Sequence, residues 1–158
     1  MTNEYIYGFD LSMSCTGISI FDLNGNIVKV CSISTNDKDT HGKRLKTIAD
    51  FILELKEQYP AKMIIIERAF SRFNTSTAVI YRVHGLISYL FYDCIQIYYA
   101  PKDIKATILN GKATKKQIQE KIMSEYPDIK FENEDESDAV ATVLAYFLKN
   151  KIIVWEVK

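Results

Sequence analysis

The run Met63-Ile64-Ile65-Ile66, closed by Glu67, constrains this chain more than any other stretch. Its apolar, mostly β-branched residues do not alternate with polar ones, which is the pattern of a strand covered on both faces. Such a strand needs helices on each side of its sheet. The flanking sequence supplies them. Leu45, Ile48, Ile52 and Leu55 recur at helical spacing from about Lys43 to Gln58, with Pro60 at the exit, and Val79, Val83, Leu86 and Leu90 do so from about Thr75 to Tyr92. Ile95–Tyr99 reads as a further strand. Upstream, Tyr5–Met13, Thr16–Phe21 and Ile27–Ser34 read as three strands, the last two joined by Leu23-Asn24-Gly25-Asn26, a strong hairpin signal. Downstream, helices are expected near Pro101–Leu109, Thr114–Ser124 and Glu134–Leu148, the second opened by the capping-box spacing of Thr114 and Gln117. The expected fold is α/β: a five-stranded mixed sheet, three antiparallel strands then two parallel ones, flanked by helices. Residues 1–158 are expected to form one domain.

Composition excludes several classes. With 47% apolar residues among 158, disorder is not the main state. The longest apolar run, Ala139 to Leu148 with Thr142 inside it, falls short of the roughly 20 residues of a membrane span. The opening MTNEYIYGFD shows neither a basic n-region nor an apolar h-region. Cys15, Cys31 and Cys94 are widely spaced and form no CxxC pair, which argues against a disulfide framework or a zinc site. A reduced, cytoplasmic location is the expectation. Twenty basic and twenty acidic residues give zero net charge, at first sight a poor match for nucleic acid. The average hides two blocks. Residues 101–130 hold seven Lys against four acids, and residues 131–158 hold three Lys against six acids.

Four carboxylates invite a chemical reading. Asp10 lies in the first strand, where a strand interior disfavours it. Glu67 projects from the carboxyl end of a central strand, the edge at which open α/β sheets build sites. Asp135 and Asp138, three apart, share one face at the start of the last helix. Each has an ordinary explanation: a solvated strand end, or, for the helix acids and their neighbours Glu132, Glu134 and Glu136, the positive end of the helix dipole. Together they can converge at one sheet edge, where they could not all ionise cheaply without cations between them. Their natural complement is Mg²⁺, with Mn²⁺ as a substitute. Two such ions about 3.5–4 Å apart suit phosphodiester cleavage.

At these residues the sequence resembles the RuvC family of Holliday-junction resolvases, within the retroviral-integrase/RNase H-like superfamily. Gly8-Phe9-Asp10-Leu11-Ser12 with Thr16-Gly17 is similar to the family's first-strand motif, and Ile64-Ile65-Ile66-Glu67 with Phe70 to its second. Ala100, Ile104-Lys105 and Gly111-Lys112-Ala113-Thr114-Lys115 resemble its basic segment, and Asp135-Glu136-Ser137-Asp138-Ala139 its paired-acid motif. The resemblance implies an RNase H-like fold, a homodimer, and four-way junctions as substrate. It implies Asp10, Glu67, Asp135 and Asp138 as metal-binding catalytic acids, Lys105 and Lys115 at the scissile strand, and Phe70 against unstacked bases. Arg68 stands where cellular members usually carry an uncharged residue. The chain looks closest to the short, phage-borne branch, which acts on broader branched DNA, three-way and flap structures included.

The basic block fits a phosphate surface. With Thr114 as N-cap, Lys115 and Lys116 fall in a first helical turn, where cations oppose the dipole but a phosphate meets both the lysines and free N–H groups. Lys105 and Lys112 extend that surface, for salt-sensitive binding without sequence preference. Arg68, Phe70, Arg72 and Phe73 are expected in a loop beyond Glu67, able to stack on bases and hold phosphates. The leading reading is a Mg²⁺-dependent, structure-selective DNA endonuclease. An RNase H-like nuclease on structured RNA, a non-catalytic branched-DNA module, and, last, an actin-like phosphotransferase suggested by Asp10 to Gly17 are the alternatives. The non-catalytic module expects the four carboxylates to be scattered.

Overall fold

The computed structural model of the chain describes residues 4–69 and 75–156. Strands β1 (Tyr5–Asp10), β2 (Cys15–Phe21) and β3 (Ile27–Ser34) precede helix α1 (His41–Gln58), strand β4 (Ala61–Glu67), helix α2 (Thr75–Leu90) and strand β5 (Ile95–Tyr99). Helices α3 (Pro101–Ile108), α4 (Lys115–Glu125) and α5 (Glu134–Lys149) follow. The sheet order is β3-β2-β1-β4-β5, with β1–β2 and β2–β3 antiparallel and β1–β4 and β4–β5 parallel. This is the mixed sheet the patterning calls for.

Burial explains why β4 lacks alternation. Ile64, Ile65 and Ile66 are all fully buried. Ile65 packs with Ile6, Phe21 and the inward faces of α3, α4 and α5. Ile64 and Ile66 pack with Tyr7, Phe9, Ile18 and Ile20 beneath α1 and α2. Each such side chain contributes about 1.5–3 kcal/mol relative to exposure. Most boundaries fall within a residue or two of expectation, and one differs by more. β1 stops at Asp10 rather than Met13, because the next residues close a turn: Ser12 Oγ donates to the Cys15 carbonyl (2.8 Å) and Thr16 Oγ1 to that of Ser12 (2.8 Å). In the β2–β3 hairpin, Asp22 accepts from the Asn24 and Asn26 amides at 2.9 Å and from the Asn26 side chain at 2.8 Å. Those bonds outweigh burial and hold the Asp22 carboxyl below its usual range.

Helix α5 lies unusually close to the sheet. A Cβ built on Gly8 of β1 would overlap the Ala139 carbonyl, and one on Gly17 of β2 would overlap the backbone of Asp135. Ser19 Oγ donates to the Ala139 carbonyl at 2.8 Å, so the contact is hydrogen-bonded as well as close. Only residues without a side chain admit a helix backbone at this distance.

Gly17→Ala is therefore expected to lower stability by about 1–3 kcal/mol, the usual cost of overpacking against an unyielding neighbour. Gly42→Ala in α1, where a Cβ meets nothing within 4 Å, should hold stability or raise it slightly. Urea unfolding midpoints of the two variants check this.

Candidate active site

Strand register brings the carboxylates to one edge. Phe9 of β1 pairs with Ile66 of β4 in parallel, so Asp10 and Glu67 leave neighbouring strands side by side. Asp10 also pairs with Gly17 of β2, the residue on which the backbone of Asp135 rests. The first turn of α5 is thus set down beside Asp10, with Asp138 one turn further along.

The electrostatics record that meeting. Burial raises the Asp10 carboxyl first; the charges of Asp138, Glu67 and Asp135 and a hydrogen bond with Asp135 raise it further, to about 8. Glu67 is also raised, by burial and by Asp138, against the opposing charges of Lys115 and Lys105. Lys115 Nζ bonds Asp138 Oδ2 at 2.6 Å, yet burial and the charges of Asp135 and Glu134 still leave the Asp138 carboxyl above its ordinary value. The Lys115 ammonium is raised, chiefly by its bond to Asp138. Four carboxylates converge, and two lysines compensate them only in part.

A cavity of about 100 Å³ opens here, lined by Glu67, Asp138, Lys105 and Lys115 with Ile104 and Ile118 at its apolar side. A larger one, about 580 Å³, lies between α3, α4 and the final segment at Trp155, away from these acids. Among the described residues, no three His, Cys, Asp or Glu side chains stand in a geometry ready to hold a metal ion. Asp138 is engaged by Lys115, while Asp10 and Asp135 share a hydrogen bond. In kind the set fits a hard divalent cation: the donors are oxygens, and Asp10 is destabilised as an anion in the way such a cation relieves.

The basic residues divide. Thr114 caps α4 through a complete capping box, placing Lys115 and Lys116 in its first turn as expected. Lys116 points to solvent and pairs loosely with Glu120 at 3.9 Å. Lys112 is exposed in the preceding loop, and its amide donates to Asn110 Oδ1. Arg68 is exposed just past β4, its amide bonded to the Tyr99 carbonyl at 2.8 Å. Phe70, Arg72 and Phe73 lie outside the described residues.

Two residues behind the site were not singled out from sequence. Arg44 is buried at 8% exposure, on the α1 stripe with Ile48, Ile52 and Leu55. Leu45, read as the start of that stripe, is only half-buried. Arg44 Nε donates to Thr35 Oγ1 (2.7 Å), and its Nη2 to the Met13 carbonyl (3.2 Å) and Ser14 Oγ (3.4 Å). It thereby clamps the turn that follows Asp10. A charged residue at the spacing of an apolar stripe was the available signal. The other is Glu136, buried between the two helix acids. Arg44→Lys, which keeps the charge but loses the fork, should cost about 1–3 kcal/mol. Faster amide hydrogen exchange over residues 11–16 should accompany that loss.

A family model for the crossover junction endodeoxyribonuclease RuvC matches residues 6–146. The RuvC protein of Dechloromonas aromatica is 29% identical over 92% of this chain and 86% of its own length. That of Orientia tsutsugamushi is 30% identical over 93% and 97%. Among solved structures, Thermus thermophilus RuvC in complex with a Holliday junction substrate superposes with a TM-score of 0.82 at 12% identity, covering 94% of this chain and 96% of that one. The yeast mitochondrial Holliday junction resolvase gives 0.68 at 12% identity, over 96% and 82%. At such identities the structural likeness speaks to the fold alone, which is RNase H-like as expected.

Proposed function

The chain belongs to the RuvC family of crossover junction endodeoxyribonucleases, and we propose that it resolves Holliday junctions and other branched DNA by metal-assisted phosphodiester hydrolysis. One observation carries this reading: carboxylates from β1, β4 and α5 meet at a single sheet edge, close enough to raise one another's pKa, beside lysines of α3 and α4. A non-catalytic module would have no use for carboxylates gathered at that cost.

Nucleases of this family depend on a divalent metal ion. We take it to be Mg²⁺, two ions per site, with Asp10, Glu67, Asp135 and Asp138 as the residues that would hold them. When bound, such ions supply Lewis acidity and a water acidic enough to attack at neutral pH. The chain's own part is positional and electrostatic. Asp10 and Glu67, at the ends of paired strands, are anchored by the sheet. Asp135 and Asp138 are held by the seat of α5. Lys105 and Lys115 offer charge to the scissile phosphate, and the first turn of α4 offers N–H groups to the same strand. Attack by water breaks the bond between phosphorus and the 3′ oxygen, leaving a 5′-phosphate and a 3′-hydroxyl. Lys112, Lys116 and Arg68 are read as contacts to flanking phosphates, and Phe70 and Arg72 as contacts at the branch point.

The working unit in this reading is a homodimer, cutting two strands of like polarity, in the cytoplasm where its DNA is. No helix among the described residues is long and apolar enough to cross a membrane.

Asp10→Asn and Glu67→Gln should each reduce cleavage of a synthetic four-way junction by more than about 100-fold, beyond what the loss of an outer-shell partner costs. Junction binding should survive in both. Cleavage that persists in Mg²⁺ would remove these acids from the mechanism, and preferential cutting of structured RNA would redirect the substrate. Lys105→Ala and Lys116→Ala should weaken binding to all branched DNA alike. Each should make the plot of log affinity against log salt shallower by about 1, read by fluorescence anisotropy across a salt series.

A further inference from the structure

We propose that Glu136 is a positioning residue for the paired acids of α5, tying the first turn of that helix to β3 through Ser32. This rests on the reading of Asp135 and Asp138 as metal-holding carboxylates and adds to it the device that holds them in place.

Glu136 is 2% exposed, almost fully buried, and lies one residue from Asp135 and two from Asp138. Among the described residues no Lys, Arg or His forms an ion pair with it. Both of its oxygens are nevertheless engaged. Oε1 accepts from Ser32 Oγ of β3 at 2.9 Å, and Oε2 from the amide of Glu132 at 2.9 Å. The ring closes through Asn133: its Oδ1 accepts from the Glu136 amide (3.0 Å) as the N-cap of α5, and its Nδ2 donates to Ser32 Oγ (2.9 Å). The charge sits at the positive end of the helix, which favours it there.

A buried carboxylate with neutral partners is an expensive way to fasten a helix. Its geometry gives a reason. The Gly8 and Gly17 contacts set how near α5 comes to the sheet. Along β2 the helix is held by Ser19 at the Ala139 carbonyl and by Cys15 at the Asn133 side chain. The link to β3, on the far side of β2, adds a hold on the first turn itself. Asp135 and Asp138 therefore face Asp10 and Glu67 at a set position before any ligand arrives. Asn133 shares the tie to Ser32 from the cap position, and Glu136 adds a second bond to Ser32 and one to the Glu132 amide.

The test uses Glu136→Ala, Glu136→Gln, Ser32→Ala and the double variant Ser32→Ala/Glu136→Ala in the full chain. Two readouts are taken: Mn²⁺ affinity by calorimetry without DNA, and single-turnover cleavage of a four-way junction. Glu136→Ala should weaken both by about 10- to 100-fold, the range for losing a partner that orients ligands. Ser32→Ala should weaken both less. The double variant should lose clearly less than the product of the two single losses, because the two changes share the Ser32–Glu136 bond while Ser32→Ala alone also removes the bond from Asn133. Glu136→Gln, which can still accept from the Glu132 amide and donate to Ser32 Oγ, should recover most of the loss. Mn²⁺ affinity and cleavage within about threefold of the parent in Glu136→Ala would overturn the proposal, as would losses from the two sites that simply multiply. If Glu136→Ala does not fold, unchanged Mn²⁺ affinity in Ser32→Ala overturns it equally. A parent protein that binds Mn²⁺ and loses that affinity in these variants, yet cuts no branched DNA, would leave the positioning role standing and remove the nuclease reading.

Discussion

Everything at this sheet edge depends on the close seat of the α5 backbone against β1 and β2. Gly8 and Gly17 leave room for it, and Ser19 bonds it at the Ala139 carbonyl. Strand pairing alone would deliver Asp10 and Glu67. The other two acids arrive only because a helix can approach where two side chains are missing. A wider gap would separate the helix acids from the strand acids and leave Asp10 facing the charge of Glu67 alone.

That repulsion is also what makes the site informative. Proteins seldom gather four half-buried carboxylates, since burial and like charge both oppose ionisation. Here Lys115 neutralises one of them and Lys105 approaches another. Around them, Arg44 clamps the turn after Asp10 and Glu136 bonds Ser32 at the start of α5. The zero net charge is the sum of these opposed parts. An acidic cluster that calls for cations lies next to a lysine-rich stretch that calls for phosphate, and the two share one cavity.

Much of the fold was legible because it rests on periodicity. The uninterrupted run at Met63–Ile66, the apolar stripes of α1 and α2, and the capping box at Thr114 are local signals, and each element lies where they point. The candidate acids were legible for a related reason: a carboxylate at a strand end, or in a first helical turn, is visible in one dimension. What escaped depends on approach in three dimensions. Gly17 could be noticed as part of a motif, but its reason is a helix more than a hundred residues away. Glu136 looks like any acid in a first helical turn until β3 is seen beside it. Arg44 was passed over because a cation on an apolar stripe is explained only by the carbonyl and hydroxyls it meets, which come from two loops distant in sequence.

In the proposed mechanism Asp10, Glu67, Asp135 and Asp138 form one cation-holding centre, built by the seat of α5 on the sheet. A crystal soaked in Mn²⁺ and measured at the manganese absorption edge tests it most directly. Anomalous peaks should appear at this edge, with carboxylate oxygens of Asp10 and of at least one α5 acid about 2.0–2.6 Å away, the range for hard divalent ions on oxygen. A map with no peak among these residues, or with manganese bound only elsewhere, would contradict it.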